Sequence, residues 1–371
     1  MVPIQQLAAR RAGPLHLVIG TTGHRDLREE DRPSLEARVR DIVVGLQTRY
    51  SNTPLTLLSP LAEGADRLVA QVALERGARL IVPLPMARAE YEEDFAAPAS
   101  RAEFAALVER ADECFVAPLP TGLDAGTTGE ARDRRYANVG AYVVLHAQVL
   151  IALWDGRITN LVGGTAEIIR FQLEGVPEPY APPRSPLDAP ETGPVYNIVT
   201  PRLSSPDVDG PLSLRALFPR GYVDDAGAEA AFDRIYARID TFNRDALALE
   251  SRLTRARETS RDYLLPETEA AALPPALASA RACYAVADAL ALHFQRLTLR
   301  TLHTLLGLVF LAALLFAVYD QVQDEVPEVW LLHGLALLIA YMVYRWARRR
   351  EYEVKYLDYR ALAEGLRVQF F

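Results

Sequence analysis

Residues 55–84, LTLLSPLAEGADRLVAQVALERGARLIVPL, decide the fold of the N-terminal part of the chain. The run LTLL at 55–58 is short and apolar, as a strand buried on both faces is. A small-residue turn follows, from Ser59 to Asp66. Residues 67–76 form an amphipathic helix and Gly77 stops it. Residues 80–84 are a second apolar strand, followed by Pro85. Strands alternating with helices imply a parallel, doubly wound α/β sheet.

The same alternation extends outward in both directions. Upstream, LHLVI at 15–19 reads as a strand that runs into Gly20-Thr21-Thr22-Gly23-His24-Arg25, and a helix follows over 31–50 with Pro33 and Ser34 near its start. Downstream, residues 91–110 are polar and helical, and CFVAPL at 114–119 is another strand. TGLDAGTTGE at 121–130 is a loop able to close over a ligand. Arg132, Arg134, Arg135 and Tyr136 come next, then a helix over 138–147. QVLIALW at 148–154 is the most apolar strand, ended by Asp155-Gly156. Gly163-Gly164-Thr165-Ala166-Glu167 leads into a helix over 168–173, and VYNIVT at 195–200 adds a strand.

Ligands of doubly wound sheets sit at the carboxyl ends of the strands. The loops expected there carry Gly20 to Arg25, then Glu63, Gly64 and Asp66, then Asp155, then Gly163 to Glu167. Glycines and hydroxyls after a buried strand leave backbone N–H groups free for an anion. Thr165 is expected to cap a helix whose N-terminus favours negative charge. Arg132 and Arg135 suit a phosphate. Glu167 is placed to bond ribose hydroxyls or to act as an acid or base. Each signal has a plainer counterpart: an ordinary βα turn, a solvated helix start, and a favourable first-turn charge. The turn after the first strand is neither a Walker A loop nor GxGxxG.

The chain has 371 residues and a net charge of −8, which argues against a general nucleic-acid binder. Its only lysine is Lys355, a sign of coding bias. Cys114 and Cys283 show no disulfide framework and no metal-ligand spacing, so neither a metal nor a resident cofactor is expected. The start, MVPIQQLAARR, has no apolar signal-peptide core.

The second part is helical. A Pro-rich stretch at 177–194 and an irregular stretch at 204–227 lead to it. Residues 228–260 carry Phe232, Ile235, Ile239 and Phe242 on one helical face. Pro266, Pro274 and Pro275 break that pattern. A second helical pattern then runs from 276 into residues 301–344, TLHTLLGLVFLAALLFAVYDQVQDEVPEVWLLHGLALLIAYMVY. This stretch lacks Lys and Arg and holds two apolar runs around a polar break at 320–328. It reads as a transmembrane hairpin with helices over about 301–319 and 329–346. Arg296 and Arg300 precede it and Arg345, Arg348, Arg349 and Arg350 follow it, which puts both termini in the cytoplasm of an inner (plasma) membrane protein. Tyr319, Trp330 and Trp346 stand where interfacial aromatics do. Residues 351–371 continue as an amphipathic helix.

Three stretches, SPLAEGADRLVAQVALERGARLIVPLP, VLIALWDG and GGTAEII, together resemble the SLOG superfamily. These are Rossmann-like nucleotide-binding domains related to the LOG phosphoribohydrolases and to DprA, with the N-terminal region of TRPM channels as a distant relative. The resemblance covers residues 15–176 with an extension to 200. LOG enzymes carry PGGxGTxxE where this chain has GGTAE after Val162. The resemblance therefore implies nucleotide binding more than hydrolysis. DYRALAEGLR at 358–367 resembles the SLATT family of two-transmembrane effectors, which accompany nucleotide-signal systems in bacterial defence.

The expectation is thus a sensing domain over 1–222 and a helical domain over 223–371. A nucleotide-derived signal, such as an ADP-ribose derivative or a cyclic oligonucleotide, would gate or trigger a pore in anti-phage defence. Two helices per chain cannot enclose a pore, so the partners are membrane lipid and further copies of the chain, a tetramer for instance. His303, Thr304, His333 and Tyr341 are the candidate pore-lining residues. Two alternatives stay open: a membrane-anchored nucleotide N-glycosidase with Glu167 as its catalytic acid/base, and a structural anchor.

Overall fold

A computed structural model describes residues 14–123, 126–181, 192–270, 272–322 and 328–371. The N-terminal stretch and parts of the expected loops at 121–130, 177–194 and 320–328 lie outside the described residues. The chain divides into two compact units, Met1–Asn243 and Arg244–Phe371.

The first unit is built on a seven-stranded sheet. In chain order its strands are β1 (Leu17–Gly23), β2 (Leu55–Leu58), β3 (Arg79–Leu84), β4 (Glu113–Val116), β5 (Val149–Trp154), β6 (Val195–Val199) and β7 (Leu214–Leu217). They lie in the order β4-β3-β2-β1-β5-β6-β7. All pairs are parallel except β6 with β7, which closes one edge antiparallel. Every residue of LTLL in β2 is buried, which explains its lack of polar alternation.

Parallel neighbours need crossovers, and these cover both faces. On one face lie α1 (Arg32–Arg49), α2 (Ala65–Glu75), the short α3 (Arg88–Glu92) and α4 (Pro98–Glu109). Leu35, Val39, Leu68, Val72 and Phe104 from these helices meet Leu17, Ile19 and Leu57 of the sheet in one core. On the other face lie α5 (Gly129–His146) and α6 (Thr165–Glu174), whose Val144, Ile168 and Phe171 share a second core with Leu150 and Val195. From β1 the chain steps through β2 and β3 to β4 at one edge, then returns by α5 to β5 on the other side of β1. The switch point therefore falls between β1 and β5.

Three local expectations change. The polar helix at 91–110 is α3 and α4, divided before Pro98. The helix expected at 138–147 begins at Gly129, so the arginine triplet lies inside α5. The irregular stretch at 204–227 contains β7, an edge strand too short to show a pattern. Residues 223–243, expected with the helical domain, belong to the first unit. They form most of α7 (Asp225–Ala248), whose Phe232 and Tyr236 enter the core on the α1 side. Tyr50 Oη donates to Asp233 Oδ1 at 2.7 Å, and the Asn52 backbone N–H donates to Asp240 Oδ1 at 2.7 Å.

The second unit contains the end of α7, then α8 (Glu250–Leu264), a short α9 (Glu267–Ala270), α10 (Pro275–Val322), α11 (Glu328–Arg350) and α12 (Tyr352–Phe370). Helix α10 has 48 residues, which at 1.5 Å per residue is roughly 70 Å, more than twice a bilayer core. Its first part is packed: Tyr284, Ala287, Leu290 and Phe294 are buried. Its later part is not, and Leu306, Phe310 and Phe316 are exposed. Helices α10 and α11 are both long and apolar enough to cross a membrane, and little of either apolar window is buried. Ala312, Ala336 and Ala340 are the buried residues of these spans, small enough for two backbones to approach.

The expected unbroken exit from the second span is interrupted. Glu351 has φ +53°, and this single left-handed residue separates α11 from α12. Both helices still run back along α10. Phe294 meets Tyr352 and Tyr359 at ring-centroid distances of 6.1 and 5.6 Å. Two buried carboxylates fasten α12. Asp245 accepts from Tyr359 Oη at 2.8 Å and pairs with Lys355 Nζ at 2.7 Å. Asp288 accepts from Ser260 Oγ at 2.7 Å and from Arg360 Nη1 at 2.8 Å. Removing one member of such a pair strands the other charge. Asp245→Ala is therefore expected to destabilise the second unit by about 3 kcal/mol, and Asp245→Asn by less because Tyr359 keeps an acceptor. Denaturant unfolding of the full chain in detergent, followed by near-ultraviolet circular dichroism, measures both.

Candidate functional site

The switch point between β1 and β5 opens into a narrow cleft of about 80 Å³. Thr21, Thr22 and Gly23 at the end of β1 form its floor. Ala62 and Asp66 flank it on the α2 side, Gly163 and Thr165 on the α6 side, and Tyr136 and Gly140 of α5 on a third. Arg25 and Tyr91 also line it, with Pro60, Val139, Val143 and Ile168.

Backbone geometry brings the α2 turn onto the end of β1. Gly64 has φ +79°, and a Cβ there would stand 2.4 Å from the carbonyl oxygen of Arg25. Only glycine permits both the conformation and the approach. The next residue, Ala65, donates its N–H to the His24 carbonyl at 3.1 Å. Gly163 has φ +72°, and its Cβ would meet Tyr136 Cβ at 2.8 Å, so the α6 loop presses equally close to α5.

Asp66 lies in the first turn of α2 and is 5% exposed. Burial pushes its carboxyl up to about 7, against the opposing pull of the Ala62 N–H, Arg25, Arg67 and Thr21. A helix N-terminus favours a carboxylate by about 1 kcal/mol at most on an exposed surface, whereas three pKa units are worth about 4 kcal/mol, so desolvation wins. Thr21 is 2% exposed, and its Oγ1, beside Asp66, makes no well-formed hydrogen bond among the described residues. Arg25 stands over the Tyr136 ring, 5.3 Å from its centroid, and forms no ion pair among the described residues. The cleft therefore offers an exposed guanidinium beside Tyr136, a buried hydroxyl beside Asp66 and a carboxyl poised near neutrality.

The other expected residues have different places. Gly20 lies beneath the cleft, against Val143. His24 Nε2 accepts the Asp155 N–H at 3.0 Å and lies 3.1 Å from Asp155 Oδ1. Burial lowers the His24 pKa, only partly offset by Asp155, and acceptance from a backbone N–H fits a neutral ring. The pair pins the end of β1 to the end of β5. Glu63 turns out of the cleft and accepts from Ser100 Oγ. Arg132 does not line the cleft: it donates to Asp94, to the Glu90 and Thr127 carbonyls and to Tyr136 Oη. Arg135 is buried and donates to the Gly126 and Pro85 carbonyls. Both arginines anchor loops to α5.

The helix cap also differs from expectation. Gly164 is the N-cap of α6, without a side-chain cap, and Thr165 is the first helical residue, facing the cleft. Glu167 Oε2 accepts the Gly163 N–H at 2.7 Å and its Oε1 lies 3.4 Å from Arg170 Nη2, so this carboxylate shapes its own loop. The sequence assigned no role to Tyr91 or Tyr136. Tyr136 Oη donates to Asp94 and accepts from Arg132 Nε at 3.0 Å.

In the second unit His333 Nδ1 lies 2.8 Å from the Ala312 carbonyl and ties α11 to α10. Thr304 Oγ1 donates to its own helix at Arg300. His303, Thr304 and Tyr341 are exposed on the unit's surface.

No family model matches the chain, and no curated protein matches it. Among solved structures, the X-ray structure of DNA processing protein A (DprA) from Streptococcus pneumoniae is similar at 16% identity and a TM-score of 0.24. The similarity covers 37% of this chain and 41% of that one, so the chain spans less than half of its length.

The Asp66 pKa yields a pH prediction. Between 3.8, its ordinary value, and about 7, the folded state holds a proton that the unfolded state has lost. The stability that Asp66 contributes is complete below that window and falls as pH rises through it. Asp66→Asn is expected to flatten this slope and to leave the protein more stable than wild type above pH 7, by up to a few kcal/mol. Thermal unfolding across pH 4–8 reads the difference between the two proteins.

Proposed function

We propose that the cleft at the β1–β5 switch point binds a nucleotide-derived anion, and that its occupancy controls the membrane activity of the two-helix unit. The observation that carries this reading is Arg25 together with Thr21 Oγ1: an exposed cation without an ion pair among the described residues and a buried hydroxyl without a well-formed hydrogen bond, in one cleft. Buried polar groups such as the Thr21 hydroxyl are nearly always satisfied, and a ligand phosphate would satisfy it while pairing with the exposed Arg25 guanidinium. The Thr165 and Ala166 N–H groups at the start of α6 would add to that anion site, whereas Glu167 N–H donates to the Gly164 carbonyl at 3.0 Å. The resemblance of the motif residues to SLOG domains points in the same direction.

The output is argued from α10 and α11. Their exposed apolar surface is unsuited to water and suited to lipid or to further copies of the chain. Two spans per chain make an oligomer necessary for a pore, with His303, Thr304 and Tyr341 available to line it. Ligand binding shifts such an assembly only through different affinity for its two states. The arginines that follow α11 favour a cytoplasmic cleft, where a second messenger such as an ADP-ribose derivative or a cyclic oligonucleotide would be met. An anti-phage role is the biological form this takes. The N-glycosidase alternative has less support, because Glu167 is held by Gly163 within its own loop.

Calorimetric titration of the detergent-solubilised chain with ADP-ribose and with cyclic dinucleotides tests the site. One ligand is expected to bind, with Arg25→Ala weakening it roughly ten- to a hundredfold, the worth of a charge-assisted contact. Arg134→Ala, on the exposed face of α5 and paired with Glu130, is expected to bind like wild type. Equal affinity in wild type and Arg25→Ala would refute the assignment.

A further inference from the structure

The break at Glu351 leaves a groove of about 500 Å³ between α10 and the α11–α12 corner. Its apolar wall is Leu302, Leu305 and Tyr344. Its polar rim is Arg348, Glu351 and Glu353. The groove sits where the apolar span ends and the arginine run begins, the level at which lipid headgroups lie in the membrane reading above. Among the described residues, none of the three rim charges makes an ion pair: Arg348 donates only to Tyr344 Oη, at 3.0 Å. The rim thus presents both signs of charge beside an apolar trough.

We infer that this groove binds a zwitterionic phospholipid with a primary ammonium headgroup, of the phosphatidylethanolamine type. The phosphate pairs with the Arg348 guanidinium. The ammonium donates to the Glu351 and Glu353 carboxylates. The glycerol and the start of an acyl chain lie along Leu302, Leu305 and Tyr344. A purely anionic lipid would leave the two carboxylates facing it unpaired. A choline headgroup has the charge but no N–H to donate. The site rests on the membrane assignment of α10 and α11 and adds to it a lipid selected at the hinge between span and cytoplasmic helix.

The test is native mass spectrometry of the full chain released from vesicles of equal phosphatidylethanolamine, phosphatidylglycerol and phosphatidylcholine. Wild type is expected to retain the ethanolamine lipid in preference to both others. Arg348→Ala should reduce retention of every phospholipid. The double variant Glu351→Gln/Glu353→Gln should lose the ethanolamine preference by roughly tenfold, the size of one charge-assisted contact, while still holding lipid. Leu305→Trp, which fills the trough, should abolish retention, with unfolding curves checking that each variant is folded. Retention independent of headgroup, or a preference for phosphatidylglycerol, overturns the inference. Full recovery of the chain in the aqueous fraction without detergent would instead overturn the membrane assignment itself.

Discussion

The contact between Gly64 and the carbonyls of His24 and Arg25 governs the first unit's chemistry. It brings the first turn of α2 within hydrogen-bonding distance of the end of β1, and Ala65 N–H closes on His24 O. Thr21 then lies beside Asp66 at the base of the cleft, and Arg25 is carried out over Tyr136. A Cβ at position 64 would push the two loops apart. The doubly wound topology supplies the location, because the direction of winding reverses between β1 and β5. The glycine supplies the closeness.

Electrostatics give the cleft its character. Its acid is neutralised by burial and its cation is left to find a partner, the reverse of an internal salt bridge. Arg67 shows the contrast. It is buried where Arg25 is exposed, and it donates to the Leu61 carbonyl and pairs with Glu103 at 3.1 Å. In the second unit the same division separates the engaged charges at Asp245 and Asp288 from the unpaired charges at the Glu351 corner.

Periodicity revealed most of the architecture. LTLL, LIVPL and QVLIALW are continuous apolar runs because their strands are covered on both faces, and the two membrane-length helices stand out by composition alone. β7 was hidden by its position at the sheet edge, where little burial disciplines a four-residue strand. The division between α11 and α12 was hidden because Glu351 is an ordinary residue in an extraordinary conformation. The site was legible as loops but not as roles. Thr21, Arg25, Asp66 and Gly163 converge as their loops suggested. Arg132 and Arg135 have the right chemistry for phosphate, but it is directed into protein carbonyls, and no local pattern distinguishes the two uses. Tyr136 could be found only in three dimensions, through its place under Arg25.

The account makes one event depend on another: an anion in the α/β cleft and a change in the membrane. Dye release from vesicles carrying the full chain, with ADP-ribose or a cyclic dinucleotide added outside or withheld, joins the two most directly. The account predicts release that needs the ligand, saturates with it, and is shifted to higher ligand concentration in Arg25→Ala. Release that is the same with and without a ligand shown to bind at Arg25 would contradict it.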